Sequence, residues 1–406
     1  MYAHLHEFLH AWLKFFRPLV LLLVFVGVGV FADDERPPAV TRAPEWTALF
    51  ERTSGWLGAD GVYSVPLNGY DAAVGARSAT CTLFLFSDTR IGEADPQTRV
   101  ITGGGMPSHS AAILDGTAPR REAISFHFGE RADGGLGHLF TGTHAWLNDG
   151  IAIGDSVFIT AFAEKGWKPV RLDFITLPLV NGRPDFKRVR VRPDIPLLYK
   201  DETFDIMFGV ALMDLSEAAG AFQPDGYVYA YGYRDNKQRG SRKDAVVARV
   251  RREAYADPAQ WRFWDGHAWS PDIAVAVREA ATLHRRISTE FSVTPISEGL
   301  YRGKFLMVYC RDVQTPDMMI AVGETPTGPF GDGILIHRAQ EPEIYNPSNG
   351  GTTYTYNAKA HPHLSPPGRL LISYNVNQSG SLPKTTEIYR PRFLWLDLHR
   401  RAARAP

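Results

Sequence analysis

Two aspartates, Asp60 in GWLGADGVYS (55–64) and Asp88 in TLFLFSDTRIG (82–92), flank a pair of short apolar runs. Residues 62–67 read as one strand and 82–87 as another, joined by a polar, Gly- and Asn-containing connection, the pattern of an antiparallel hairpin. In a hairpin the start of the first strand lies beside the end of the second. Asp60 just precedes the first strand and Asp88 just follows the second, so both carboxyls fall at one rim. Such a pair can divide acid and base duties, one carboxyl protonating a leaving group while the other activates water or attacks carbon. The competing reading is local: Asp60-Gly61 as an Asx-type turn and Asp88-Thr89 as a loop cap, each bonding its own amides.

These residues must be held by a large scaffold, and its limits are legible in the 406-residue chain. Lys14 and Arg17 precede an apolar run at 19–31, and Val30-Phe31-Ala32 forms a small-x-small site before the acidic 33–35. This predicts a cleavable secretory signal over 1–32, and hence a secreted or periplasmic product. Trp12, Phe15 and Phe16 extend the run toward the ~20 residues of a spanning helix, so an uncleaved, outward-facing membrane anchor is the alternative. Residues 33–49 then read as a leader, 50–398 as the folded domain and 399–406 as a basic tail.

Lys and Arg together number 44, as do Asp and Glu. Loss of 1–32 takes away Lys14, Arg17 and Glu7, leaving a net charge of −1. That balance argues against a nucleic-acid partner, which needs a basic surplus, and the run at 239–243 reads as a solvated loop. Cys81 and Cys310 are the two cysteines; both flank strand-like runs, and either a disulfide or two buried thiols fits. Gly103 to Gly105 lack the Lys-Ser/Thr of a phosphate loop, and Ser108-His109-Ser110 is no nucleophile elbow. No metal-ligand spacing stands out beyond His361 and His363, which flank a proline. Neither a metal nor a cofactor is expected.

Helical periodicity is weak; 271–286 is the best helical candidate. The rest is a succession of short strands and turns in five groups: 58–116, 148–179, 208–269, 290–323 and 359–396. Five groups of about four antiparallel strands predict an all-β, five-bladed β-propeller, with a β-sandwich as runner-up.

In that architecture one rim samples the start of each first strand and the end of each second. Those positions hold Asp60 and Asp88, Asp149 and Glu164, Arg234 and Asp235, Glu290 with Arg311 and Asp312, and His361 with Asn375. Glu290, in TEFSV, faces the channel, where burial would raise its pKa and favour a proton donor unless an Arg pairs with it. Asp60, bonded by turn amides, would stay ionised. Asp60, Asp88 and Glu290 are therefore the catalytic candidates. Asp149, Arg234, Lys359, His361 and Tyr374 are the substrate-binding candidates, with Trp56 and Trp146 as further stacking platforms. Core packing or structural hydrogen bonding is the alternative for each of the aromatic and histidine residues.

The segments GADGVYS (58–64), LFLFSDTRIG (83–92), HSAAILDG (109–116), YAYGYR to VVARV (229–250), TEFSV (289–293), TPTGPF (325–330), NAKAHPHLS (357–365) and LLISYNVN (370–377) resemble a family. They look like the secreted bacterial five-bladed propellers long catalogued as a domain of unknown function, some of which are endo-acting D-arabinan hydrolases. The architecture is similar to that of the glycoside hydrolase family 43 furanosidases. The resemblance covers about 50–398. It implies a glycoside hydrolase with a polysaccharide or oligosaccharide substrate, the acid and base at Asp60 and Asp88, and a proton donor near Glu290. A non-catalytic carbohydrate-binding propeller is the alternative. The insertion at 68–79 and Ser-His-Ser at 108–110 depart from the family pattern, the second weakening any transfer of a role to His109.

Overall fold

The computed structural model describes residues 36–71, 81–240, 242–349, 352–380 and 384–403. The expected signal or anchor at 1–32 lies outside them. No described helix is long and apolar enough to cross a membrane.

The chain is mostly β. Among the described residues there are six antiparallel sheets, a two-stranded ribbon and five larger ones, the larger ones containing, in chain order, the strands Tyr63–Pro66, Trp146–Ile153, Phe204–Asp214, Phe291–Pro295 and Thr353–Ala360. In the third sheet a short strand, Leu198–Lys200, pairs on the other side of Phe204–Asp214. Residues from all five of those long first strands, among them Tyr63, Asp149, Leu212, Val293 and Lys359, line one internal cavity of about 40 Å³. The second and third strands explain the continuous apolar runs. In Cys81–Phe86, Leu83 and Leu85 join one buried cluster while Phe84 and Phe86 join another. In Phe305–Cys310 the alternate residues Phe305, Met307 and Tyr309 divide in the same way from Leu306, Val308 and Cys310. A strand with core on both faces has no polar side to show, so its period of two is hidden.

Several expectations change. Residues 38–49, assigned to the leader, belong to the fold. Pro38–Arg42 is the outermost strand of the fifth sheet, paired with Arg392–Arg401, and the helix Pro44–Leu49 buries Trp46 and Leu49. The strand Arg392–Arg401 also takes up the start of the supposed tail. The helical candidate at 271–286 is two 3₁₀ turns, Ile273–Val277 and Glu279–Ala281, followed by the strand His284–Ile287. The first strand of the fifth group is Thr353–Ala360 rather than 359–364, because its alternating Thr and Tyr residues hide its edge; Pro362–Leu364 is a 3₁₀ turn. Cys81 and Cys310 are separate buried thiols.

Candidate active site

Asp60 and Asp88 do meet, through an element that the sequence concealed. The strands Ser54–Ala59 and Thr89–Glu93 form a two-stranded ribbon with Ala59 opposite Thr89. One step on, the Asp60 amide donates to the Asp88 carbonyl (3.2 Å) and the Ser87 amide donates to the Asp60 carbonyl (3.0 Å). The pair thus sits at the junction of this ribbon and the first sheet, its backbones locked to each other.

The side chains reach different neighbours. Asp60 Oδ2 accepts from the hydroxyls of Tyr356 (2.9 Å) and Tyr389 (3.3 Å), while its Oδ1 is buried with no hydrogen-bond partner among the described residues. The single Tyr389 hydroxyl proton is shared between Asp60 and the Asp88 carbonyl, which is the nearer acceptor at 2.9 Å. Asp88 Oδ1 accepts from Trp146 Nε1 at 2.9 Å. Burial, together with the charges of Asp88 and Glu290, pushes the Asp60 carboxyl well above the usual carboxylate range, against the pull of the Tyr356 hydroxyl and of Lys359. Burial also raises Asp88, but the Trp146 N–H and the nearby His144 oppose it. Of the two, Asp60 is the more strongly raised, because burial and two neighbouring carboxylates act on it together.

Glu290 joins this group from the start of the fourth sheet. Its Oε2 pairs with the buried Lys359 ammonium and its Oε1 accepts from Asn357 Nδ2 at 3.0 Å. Lys359 also donates to the Gly61 carbonyl (2.6 Å) and lies 3.9 Å from the Tyr63 ring centroid. Burial raises the Glu290 carboxyl while Lys359 works against it. Both oxygens of Glu290 thus accept from protein donors, Asn357 on one and Lys359 on the other. Its charge is also one of the causes that raise the Asp60 carboxyl.

The predicted substrate ligands divide. Asp149 lines the internal cavity, its two oxygens accepting from the amides of Gly150 (2.9 Å) and Leu212 (2.8 Å), which ties the second sheet to the third. Burial and the neighbouring Asp71 raise it to about 7 despite those amides and Lys359. Lys359 is only 2% exposed and is committed to Glu290, so the expected role on sugar hydroxyls gives way to an internal ion pair. His361 is fully packed, its ring bonded to Ser64 (2.7 Å) and Ser373 (2.8 Å), at the far end of the fifth sheet's first strand. Arg234 is 2% exposed and turned outward, onto Asp244, Thr282 and the carbonyls of 276–278. The strand-end rule placed its backbone at the rim but could not show which way the side chain turned. Tyr374 is buried with its hydroxyl on Glu341 (3.0 Å) and offers no platform. Trp56 packs against Phe86 and Phe126 in the core, whereas Trp146 remains half-buried beside Asp88. His109 is likewise internal, its Nδ1 accepting from two amides, with burial pushing it down to about 3. Among the described residues no three His, Cys, Asp or Glu side chains cluster closely enough to hold a metal ion.

Asp149 also predicts how stability depends on pH. Its folded pKa lies above the ordinary 3.8, so the folded state holds a proton that the unfolded state releases. The resulting stabilisation is complete below about pH 4 and is lost as pH rises through about 7, a span worth on the order of a few kcal/mol. Urea midpoints measured from pH 5 to pH 8 should fall less steeply in Asp149→Asn than in the native chain; equal slopes would show that Asp149 titrates normally.

The family model described as Domain of unknown function (DUF5005) matches residues 209–397. No curated protein matches the chain. A protein from Bacteroides ovatus ATCC 8483, provisionally described as a hydrolase, has a solved structure at 18% identity, covering 88% of this chain and 89% of that one with a TM-score of 0.63. The two share a fold. An α-L-arabinofuranosidase from Clostridium thermocellum ATCC 27405 matches at 10% identity over 75% of this chain and 82% of its own (TM-score 0.41). A GH43_1 enzyme from Xanthomonas citri complexed with xylotriose matches at 13% identity over 86% and 92% (TM-score 0.40). These two likenesses are too loose to bear on the site.

Proposed function

We propose that this protein is an exported glycoside hydrolase, built as a five-bladed β-propeller, that cleaves a furanose-containing or related polysaccharide. The observation that carries the reading is the meeting of Asp60 and Asp88 across the ribbon junction, with Glu290 alongside and all three carboxyls pushed upward by burial. Two carboxyls in unlike surroundings are what acid/base cleavage of a glycosidic bond requires. The fold shared with the Bacteroides protein is compatible with this chemistry, and the resemblance of the sequence motifs to the D-arabinan hydrolases supports the sugar class.

In the proposed cycle Asp60 gives its proton to the oxygen of the leaving sugar as the bond to the anomeric carbon breaks. Asp88 takes a proton from a water whose oxygen bonds that carbon. Transfer of the new proton from Asp88 back to Asp60 or to solvent restores the starting state. Tyr356 holds the Asp60 carboxyl through Oδ2, which leaves Oδ1 without a partner among the described residues. The test is product release by the mature chain from a panel of arabinans and other furanose polymers. Shorter, chromatographically resolved oligosaccharides are expected; measurable polymer binding without any release would make the protein a binding module instead.

A further inference from the structure

The hairpin joining the second and third strands of the second sheet ends in a two-residue turn, Gly166-Trp167, between the paired Lys165 and Lys168. Both turn residues have left-handed backbones, φ +63° and +65°. Turns of this type favour Asn-Gly, and a bulky side chain at positive φ is strained. Trp167 is also 85% exposed. Neither turn chemistry nor core packing therefore accounts for a tryptophan here, and strain of this kind gathers where a side chain serves a ligand.

The surroundings show which ligand. The Trp167 amide donates to Glu164 Oε2 (2.7 Å), fixing the turn. Its ring lies 5.7 Å from that of Trp146, the two planes inclined by 31°. Trp146 in turn touches the exposed His144 ring and donates its indole N–H to Asp88. An aromatic surface thus runs from the carboxyl pair out to the hairpin tip, rimmed by the polar side chains of Glu164, His144 and Asp88. Apolar faces edged by hydrogen-bonding groups suit sugar rings, whose C–H faces stack while their hydroxyls bond at the edge.

We infer that Trp146 and Trp167 form a binding platform for the sugar units next to the bond that is cut, so that the site takes a neutral glycan chain rather than a single terminal sugar. This rests on the glycoside hydrolase reading. The test compares the native protein with Trp167→Gly, which removes the ring and puts at positive φ the residue that adopts it without steric cost. The variant should melt at the same temperature or higher, so folding is not at issue. On arabinan its KM should rise roughly five- to ten-fold with kcat little changed, and on 4-nitrophenyl arabinofuranoside, too small to reach the platform, both constants should stay as they were. Trp167→Tyr should recover most of the loss.

Tryptophan fluorescence separates this inference from the reading beneath it. Arabino-oligosaccharides should quench the native protein and Asp60→Asn alike, and quench Trp167→Gly weakly. Cleavage of arabinan with unchanged KM and quenching in Trp167→Gly would overturn the platform alone. Quenching that depends on Trp167 without cleavage of any polymer would leave the platform standing and overturn the hydrolase. Neither cleavage nor quenching would overturn both.

Discussion

Asp60→Asn should cut polymer hydrolysis by roughly 10²- to 10⁴-fold, the usual contribution of a positioned acid, yet leave cleavage of an aryl furanoside with a good leaving group within about ten-fold of native. An aryloxide departs without help, so a missing acid matters little to it. Asp88→Asn should lose both activities, and azide, which can take the place of the activated water, should restore the aryl reaction as a glycosyl azide. The asymmetry follows from the surroundings of the two groups. Asp60 has two phenols on one oxygen, none on the other, and the charges of Asp88 and Glu290 beside it. Asp88 faces the Trp146 N–H and His144, which favour its ionised form. Measured kcat/KM values for the two substrates in the two variants decide the matter. The reverse pattern would exchange the roles, and full polymer activity in either variant would remove that residue from the chemistry.

The same pair shows what the sequence could reveal. That Asp60 and Asp88 share a rim follows from the geometry of a hairpin and needs no long-range knowledge. The ribbon that locks them together was hidden because Gly55, Gly58 and Gly92 read as strand breakers. At Gly58 a Cβ would stand 2.0 Å from the Tyr389 carbonyl oxygen, and at Gly92 2.1 Å from that of Gly103, so these glycines mark close backbone approach within an extended segment. Tyr356 and Tyr389 carried no signal, since each reaches Asp60 from about 300 residues away and a tyrosine in a strand otherwise reads as core. Trp167 was missed because Lys-Gly-Trp-Lys looks like an ordinary turn until its backbone angles are known. Arg234 and Tyr374 failed for the opposite reason: a strand with core on both faces gives no pattern that tells an inward side chain from an outward one.

Lys359→Met should destabilise the protein by roughly 3–5 kcal/mol at pH 8, the cost of leaving a buried charge without its partner. The Glu290 side chain is only 13% exposed and that of Lys359 3%, so water cannot replace the ammonium. The substitution also removes the force that holds the Glu290 pKa down, and the folded pKa rises further above the ordinary value. A raised carboxyl contributes stability at low pH that is lost as pH rises through its folded pKa. The penalty should therefore be largest at pH 8 and shrink toward pH 5, where Glu290 can take a proton. Adding Glu290→Gln removes the orphaned charge, and urea unfolding of the double variant should recover a substantial part of the loss; a double variant as unstable as the sum of the two single ones would mean that the pair is not coupled. Activity supplies an independent check. With Glu290 neutralised, one of the charges that raise the Asp60 carboxyl is gone, so the alkaline limb of the rate profile should move to lower pH in Glu290→Gln even where the folded protein is fully populated.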